Sequence, residues 1–249
     1  MLARPAARLR ADSPRRPSRD GTLSWRIIRQ IRAALFAGEL KTGERLGGEI
    51  ELAKRYGVSR MAIRDALRSL EAAGIVEIRV GAKGGTYIAE GNPERFADAL
   101  AIQLKLVGVT AAEIFDAQIA IEVTSTELAA RHADAHDLAL LHDLLNQMKE
   151  QRLSKVNFTD LSMRFHETIV EASHNRALIA QFKALRFVLE PVYARRLTDE
   201  VAGHVIASNA DILARIVAHD GEGARARMHR RLEIIRGREL EVSRPDGAD

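Results

Sequence analysis

Two arginines that lie four residues apart, Arg60 and Arg64, follow a serine in a pattern suited to binding a polyanion. Serine is a preferred N-cap residue, and side chains at i and i+4 share one face of a helix. A guanidinium can bind guanine through two hydrogen bonds or hold a backbone phosphate. The pattern therefore predicts a helix that presents one set of side chains to DNA: Ser59, Arg60, Met61, Ala62, Arg64 and Arg68.

The helix that carries these arginines is expected to follow another helix across a tight turn. Apolar residues recur at helical spacing from Leu23 and predict a first helix of about fourteen residues. A second helix is predicted from about 49 to 56, and Gly57 ends it. The third helix then starts behind Ser59, so that the segment reads as a helix-turn-helix.

A β-hairpin is predicted directly after these helices. Two short β-like runs, 75–80 and 86–89, flank a glycine-rich segment. A hairpin in this position is a wing, and its tip offers three further candidate DNA contacts: Lys83, Gly84 and Gly85. Taken alone, such arginines usually form a solvated helix face, but their place in this ordered series favours DNA binding. Met61 can contact a thymine methyl group or pack against the domain, and both interpretations stay open.

The distribution of charge separates the beginning of the chain from the rest. Residues 1–21 hold six Arg and two Asp, residues 22–90 hold twelve Lys or Arg against eight acids, and residues 91–249 hold twenty against twenty-four. A basic small domain followed by a mildly acidic larger one indicates that the first meets a polyanion. Residues 1–21 are interpreted as a disordered arm, which is either a solvated tail or an additional phosphate contact.

Composition excludes several other classes. The chain has no cysteine, so it has no disulfide framework, thiolate metal site or cysteine nucleophile. It also lacks a run of about 18 apolar residues and the apolar core of a secretory signal, and we expect a cytoplasmic protein without a membrane span.

After Asn92-Pro93 the chain reads as helices joined by short breaks, with no further strand. The helices are predicted near 94–107, 110–132, 134–151, 157–173, 176–195, 204–219 and 221–241. Such a series favours an antiparallel bundle whose core can hold a ligand. The fold class is therefore mainly α, with four predicted parts: an arm at 1–21, a winged helix-turn-helix at 22–90, an all-α bundle at 94–242 and a disordered tail at 243–249.

Two sets of motifs make the chain similar to a known family. The first resembles the winged-helix domain of GntR-family bacterial regulators and lies at 38–46, 52–53, 56–60, 64–67 and 70–74. The second resembles the FCD ligand-binding domain of the FadR subfamily and comprises Glu122, 128–131, 165–166, 172–175, Asp220 and Ala224. The resemblance implies a homodimer that reads a palindromic DNA operator and is controlled by a small molecule, usually a carboxylic acid, bound inside the bundle. Repression that the ligand relieves is the expected sign.

The chain departs from the family pattern in the DNA-reading segment. Family members often carry threonine and proline where this chain has Met61 and Ala62, and a basic residue where it has Ile50. The bases that relatives read therefore cannot be transferred to this chain.

The ligand-binding domain departs further. Many FCD domains hold a divalent metal with an aspartate, a histidine four residues later, and two later histidines. By resemblance His166 keeps its place, but the other three positions fall on Ser162, Asn209 and Arg231, and a common arginine is replaced by Gln118. We therefore expect no bound metal or other cofactor. The candidate effector-binding residues are Gln118, Ser162, His166, Asn209 and Arg231.

Arg231 has two further interpretations. It can be a surface residue of the basic run 225–238, and if the register slips by two, His229 takes its place in the pocket. If Arg231 does face the pocket, it can bind an effector carboxylate or phosphate directly, where a metal would otherwise bridge it.

Two other classes of function were weighed. An enzyme could use His166 with Glu167, Asp160 or Glu171, but no nucleophile elbow, phosphate loop or HExxH pattern accompanies them, and no catalytic residue is predicted. A nonspecific DNA-binding protein would bind regardless of sequence and effector, and a buried polar set in the bundle argues against it.

Overall fold

A computed structural model describes residues 22–81, 84–151, 155–194 and 198–242. The chain forms two compact units, divided between Asn92 and Pro93. The predicted arm at 1–21, the predicted tail at 243–249 and Lys83 lie outside the described residues.

The N-terminal unit is a small helical domain with a three-stranded sheet. Its elements are α1 (Leu23–Phe36), β1 (Arg45–Gly47), α2 (Glu49–Tyr56), α3 (Arg60–Ala72), β2 (Val76–Arg79) and β3 (Gly85–Ile88). The apolar stripes of α1 and α3 form its core, in which Ile27, Ile31, Ile63 and Leu67 are almost fully buried. The expected hairpin is present, with Val76 opposite Ile88 and Arg79 opposite Gly85.

The sheet contains one strand more than the sequence predicted. β1 pairs antiparallel with β3, so that the strand order is β1-β3-β2 and β3 lies in the centre. Three residues are too few to display a two-residue period, and their pairing depends on a strand that is some forty positions later, between Arg45 and Tyr87.

The C-terminal unit consists of helices throughout its described residues. They are α4 (Pro93–Val107), α5 (Ala111–His132), α6 (Ala135–Glu150), α7 (Lys155–Ala172), α8 (Arg176–Ala194), α9 (Asp199–Val217) and α10 (Gly221–Val242). The predicted fold class, mainly α with a winged helix and a helical bundle, is confirmed. Within the described ranges, no helix combines the length and apolar character that a membrane crossing requires.

The central helix of this unit is α5. It packs against α7, α8, α9 and α10, and its buried residues include polar ones as well as Ile114, Phe115 and Ile121. The largest apolar core cluster lies between α5, α6, α7, α9 and α10, and Phe165 is fully buried within it.

The predicted start of α9 was wrong by five residues. The sequence analysis placed 197–203 in a loose break and began the helix at 204, whereas the helix begins at Asp199. Thr198 caps it by accepting a hydrogen bond from the Val201 amide at 3.2 Å. The first turn buries only Ala202, which is too small to give a clear apolar period.

Candidate nucleic-acid interface and buried polar site

The tight turn between α2 and α3 depends on two local features. Gly57 ends α2 with a left-handed backbone, φ +64°, which glycine adopts without strain. Ser59 then caps α3, and its Oγ accepts a hydrogen bond from the Ala62 amide at 3.2 Å. The two helices are thereby joined in the helix-turn-helix arrangement.

The candidate DNA-reading side chains lie on the exposed side of α3. Ser59, Arg60, Arg64 and Arg68 are exposed, and Ala62 is half-buried. Ile63, Ala66 and Leu67 hold the opposite face in the core. Met61 is 71% exposed, so its side chain does not pack against the domain, and the alternative of DNA contact is left.

A carboxylate that the sequence analysis missed holds one of these arginines. Two nitrogens of the Arg64 guanidinium donate to the carboxylate of Glu49, Nε to Oε1 at 3.0 Å and Nη2 to Oε2 at 2.9 Å. Arg60 Nη2 lies 3.9 Å from the same Oε2. The hydrogen bond from Arg64 lowers the pKa of Glu49, and this bond in turn raises the pKa of Arg64. The two residues are fifteen positions apart, so no helical spacing rule could have predicted the pair.

The wing needs its glycines for its own turn. A Cβ on Gly84 would lie 2.7 Å from two backbone oxygens, and Gly85 has φ +135°. Next to this turn, the side chain of Val80 is 98% exposed. Arg79 lies over the Tyr87 ring, with 4.3 Å from its Cζ to the ring centroid. The exposed Val80 therefore lies beside the glycine turn of the wing.

The bundle core contains a polar cluster centred on Glu122 of α5. This carboxylate is fully buried. One oxygen, Oε1, accepts from Gln118 Nε2 at 2.6 Å, and the other contacts His166 Nδ1 on α7. Tyr193 on α8 donates its hydroxyl to Gln118 Oε1 at 2.9 Å. Four side chains from three helices therefore form one connected network.

Arg231 of α10 lies inside the bundle. Its exposed fraction is 8%, and Glu122 and Tyr193 act on its charge. His229, the alternative pocket residue, has a half-exposed side chain that lies 3.7 Å from Glu233. The interpretation of Arg231 as a surface residue and the two-residue slip are both inconsistent with this placement.

The remaining two candidates differ in their surroundings. Asn209 of α9 is fully buried beside His166, and its Nδ2 points to Met148 Sδ at 3.7 Å. Ser162 is half-buried one turn before His166 and makes no hydrogen bond to a residue that the structure describes. The structure thus brings Gln118, His166, Asn209 and Arg231 together with Glu122, and leaves Ser162 at the margin.

The sequence analysis had named Glu122 as a family motif residue without placing it in the pocket. The usable signal was its spacing from Gln118, since residues at i and i+4 lie on one helix face. Tyr193 carried no comparable signal, because its contact with Gln118 spans 75 positions.

The charge states of the central pair follow from their surroundings. Burial raises the pKa of Glu122, but His166, Gln118 and Arg231 outweigh it and lower that pKa overall. Burial also lowers the pKa of His166, more than Glu122 raises it. The low pKa of the buried His166 favours a neutral imidazole beside the Glu122 carboxylate, and in that state Nδ1–H donates to Glu122 while Nε2 is an acceptor.

Several buried polar atoms near this cluster have no partner among the described residues. They are Ser125 Oγ, His166 Nε2, Ser208 Oγ and Asn209 Oδ1. The guanidinium of Arg231 likewise forms no hydrogen bond or ion pair with a described residue. Buried polar groups are nearly always paired with protein or with ordered water, so these atoms are the polar groups of the bundle core that stay open to a further hydrogen bond.

The acidic residues considered for an enzyme are engaged elsewhere. Asp160 and Glu167 both hold Arg186 of α8, and Glu171 lies 3.4 Å from Lys183. These three carboxylates are held by cations of α8, and none of them contacts His166 among the described residues.

A separate group of His and Asp residues lies at the start of α6. The described ranges contain a potential metal cluster of Asp134, Asp137 and His174. Asp134 and Asp137 form the capping box of α6, and His174 Nε2 lies 2.8 Å from Asp137. Helix capping accounts for both carboxylates.

A winged helix with an arginine-bearing third helix, followed by a helical bundle with a buried polar cluster, is the make-up of a DNA-binding transcription regulator. Residues 23–88 match the model of the bacterial regulatory proteins of the gntR family, and residues 113–233 match the FCD domain. The chain therefore belongs to the GntR family and carries an FCD domain. It is a transcription regulator rather than an enzyme.

Individual relatives agree with this assignment. The chain is 28% identical to the Uxu operon transcriptional regulator of Escherichia coli over 225 residues, 87% of this chain and 86% of that protein. It is 30% identical to the HTH-type transcriptional regulator LutR of Bacillus subtilis, over 57% of this chain and 64% of that one. The structure of a Streptococcus agalactiae GntR protein has a TM-score of 0.57 at 20% identity, over 86% of this chain and 99% of that chain, which shows a shared fold.

Proposed function

We propose that the protein is a homodimeric repressor that reads a palindromic operator with α3 and is released by a small carboxylate bound at Arg231. The observation that carries the effector part is the placement of Arg231 in the bundle, where it is 8% exposed and makes no hydrogen bond or ion pair with a described residue. Such a regulator acts where the chromosome lies, in the cytoplasm.

The chemistry of the cluster favours an anion with a neighbouring hydroxyl group. Both oxygens of Glu122 are already occupied, so Arg231 retains its donors for an incoming carboxylate, which it can bind through two parallel hydrogen bonds. His166 Nε2 and Asn209 Oδ1 belong to neighbouring side chains, and neither makes a hydrogen bond of normal geometry with a described residue. A hydroxycarboxylate supplies what each of them lacks, an oxyanion for Arg231 and a hydroxyl proton for the acceptors.

The same residues do not fit a divalent metal. His166 offers one nitrogen, and the charge of Arg231 acts on it within the same cluster. A fixed guanidinium repels a cation, and the described ranges place no further His, Asp or Glu beside His166 and Glu122 that would complete a metal site. We propose that Arg231 provides the positive charge itself.

Exposed apolar side chains support the dimer. Phe96, Ile102, Leu106 and Val107 of α4 are 47%, 59%, 73% and 77% exposed, and Phe187 of the adjacent α8 is 54% exposed. An extended apolar surface on a soluble domain marks an association site. A second copy of the chain would cover it and place two α3 helices on two half-sites, one helical turn or a multiple of it apart.

Light scattering should give twice the chain mass for the wild type, and Leu106→Asp should shift the mass toward that of one chain.

The effector site can be tested with monocarboxylates that differ only in an adjacent hydroxyl group, and with inorganic phosphate. We expect hydroxycarboxylates to raise the melting temperature of the bundle and to release operator DNA. Arg231→Ala should keep operator affinity and lose both responses, whereas Arg225→Ala, an exposed residue of the same helix, should keep them. An unaltered response of Arg231→Ala would place the effector elsewhere.

Elemental analysis after incubation with zinc, nickel and manganese should find no stoichiometric metal, and one retained metal per chain would contradict the direct-binding site.

The DNA-reading helix can be tested in the same protein. Arg60→Ala should abolish the preference for operator over shuffled DNA while the fold and the dimer stay intact, because Arg60 is exposed and supports no core contact. A variant that still protects the operator would refute the recognition-helix assignment.

A further inference from the structure

The contact between Glu49 and Arg64 joins the two helices of the DNA-binding motif on their exposed side. Glu49 is the first residue of α2, and its side chain is 31% exposed, while that of Arg64 is 48% exposed. The two hydrogen bonds of 3.0 and 2.9 Å engage the Arg64 guanidinium edge-on, with the planar geometry of a bidentate pair.

Helix capping does not explain why a carboxylate stands at this position. Acidic residues are favoured in the first turn of a helix. In α2, however, Glu51 already fills that role, because its Oε2 accepts from the Gly48 amide at 3.3 Å. Glu49 instead turns toward α3 and reaches Arg64, and it also lies near Arg60.

An exposed arginine on a DNA-reading helix binds any phosphate, which raises affinity for all sequences alike. A phosphate can also take both guanidinium donors, but it must approach the Glu49 carboxylate, whose negative charge repels it. A guanine edge offers two acceptors in the same planar arrangement, O6 and N7, and carries no net charge, so it meets no such repulsion. The carboxylate also keeps the arginine in one orientation before DNA arrives.

We propose that Glu49 is a positioning residue that sets sequence specificity through Arg64. It withholds Arg64 from indiscriminate phosphate contacts and orients it for a base edge. This inference rests on the proposed role of α3 as the recognition helix.

The test compares wild type, Glu49→Gln, Arg64→Ala and the double variant. The probes are a duplex of about 30 base pairs, enough for two half-sites, selected by the wild-type chain from a randomised library, and the same duplex with its sequence shuffled. Dissociation constants on both are measured at several salt concentrations. Glu71→Gln is the matched control, since it removes one carboxylate from α3 eleven residues beyond Arg60, about 16 Å along the helix.

We expect Glu49→Gln to lower the ratio of selected to shuffled affinity about tenfold, the discrimination of one bidentate base contact. One additional phosphate contact should also steepen the salt dependence on shuffled DNA, by about 3.5-fold in affinity between about 50 and 200 mM salt. In the Arg64→Ala background the same substitution should change the ratio little. Glu71→Gln should leave both quantities unchanged.

A purely structural role of Glu49 would shift both affinities together and leave the ratio and the salt slope as they were, and this result would overturn the proposal. An equal effect of Glu49→Gln with and without Arg64 would overturn it as well. If wild type selects no sequence, or if Arg60→Ala and Arg64→Ala both keep the full ratio, the recognition-helix assignment fails instead.

Discussion

Glu122→Gln tests whether the buried polar cluster is held together by charge. The substitution keeps the shape of the side chain and one acceptor oxygen. It removes the negative charge that acts on Arg231, and it replaces the oxygen that accepts from either Gln118 or His166 by an amide nitrogen. Arg231 then loses the attraction of the Glu122 carboxylate.

The magnitude follows from the burial of the two charges. Glu122 is 0% and Arg231 8% exposed. Because no ion pair joins the two side chains, the main loss is the hydrogen bond that Gln118 or His166 makes with the ionised carboxylate, about 1.5 to 3 kcal/mol. The amide that Glu122→Gln introduces keeps one acceptor oxygen, and we expect a loss of about 2 kcal/mol in the free energy of unfolding.

A second substitution separates charge from shape. Arg231→Met removes the unpaired guanidinium and leaves Glu122 with its two hydrogen-bonding partners, so its cost should be within about 1 kcal/mol. Combined with Glu122→Gln it should recover about 1 kcal/mol, within the usual range for coupled buried residues. The control is Asp116→Asn on the same helix, which removes the ion pair between Arg236 and Asp116, whose side chain is 58% exposed. It should cost at most about 1 kcal/mol.

The assay is urea unfolding of the full chain. Far-UV circular dichroism follows the bundle helices, and the fluorescence of Trp25, the one tryptophan, follows the N-terminal unit in the same sample. The loss should appear in the bundle transition and leave the Trp25 transition in place. A change below about 1 kcal/mol for Glu122→Gln, or no recovery in the double variant, would refute the electrostatic account of the cluster.

Two further predictions concern pH and the helix-turn-helix. Burial lowers the pKa of His166 below its unfolded value of about 6.5, so the unfolded chain binds the proton more tightly than the folded chain. The stability of the bundle should therefore be complete above about pH 6.5 and decline as the pH falls below that value. Urea unfolding from about pH 8 to about pH 5 would show this as a free energy of unfolding that is first constant and then falls. His166→Gln should flatten that curve, and an unchanged slope would assign the titration to another group. Gly57→Ala should destabilise the N-terminal unit by about 1 to 2 kcal/mol, because a side chain disfavours its positive φ although the added Cβ meets nothing within 4 Å. The midpoint of thermal unfolding by Trp25 fluorescence would measure this, Gly57→Asn should cost less, and equal stability of all three would contradict the left-handed turn.

Local signals in the sequence determined the helices of the DNA-binding domain. The predicted first helix from Leu23 and second helix from 49 to 56 are confirmed, since a long apolar period, Gly57 and the Ser59 cap all act within a few residues. The family motifs placed His166 and Glu122 on neighbouring helices of a bundle without showing that they touch. These features depend on the chain's own neighbourhood, and a single sequence displays them.

Tertiary structure alone decided the rest. β1 exists because Arg45 meets Tyr87. The stripe of Ala224, Met228 and Leu232 along α10 lies on the side of Arg231 rather than of His229, but only the packing of α10 against α5 shows that this side faces inward. The two contacts on which the proposals depend, Glu49 with Arg64 and Glu122 with His166, span 15 and 44 positions. Side chains so far apart in sequence come together only when helices pack, and packing follows from the shape of the whole core rather than from any short pattern of residues.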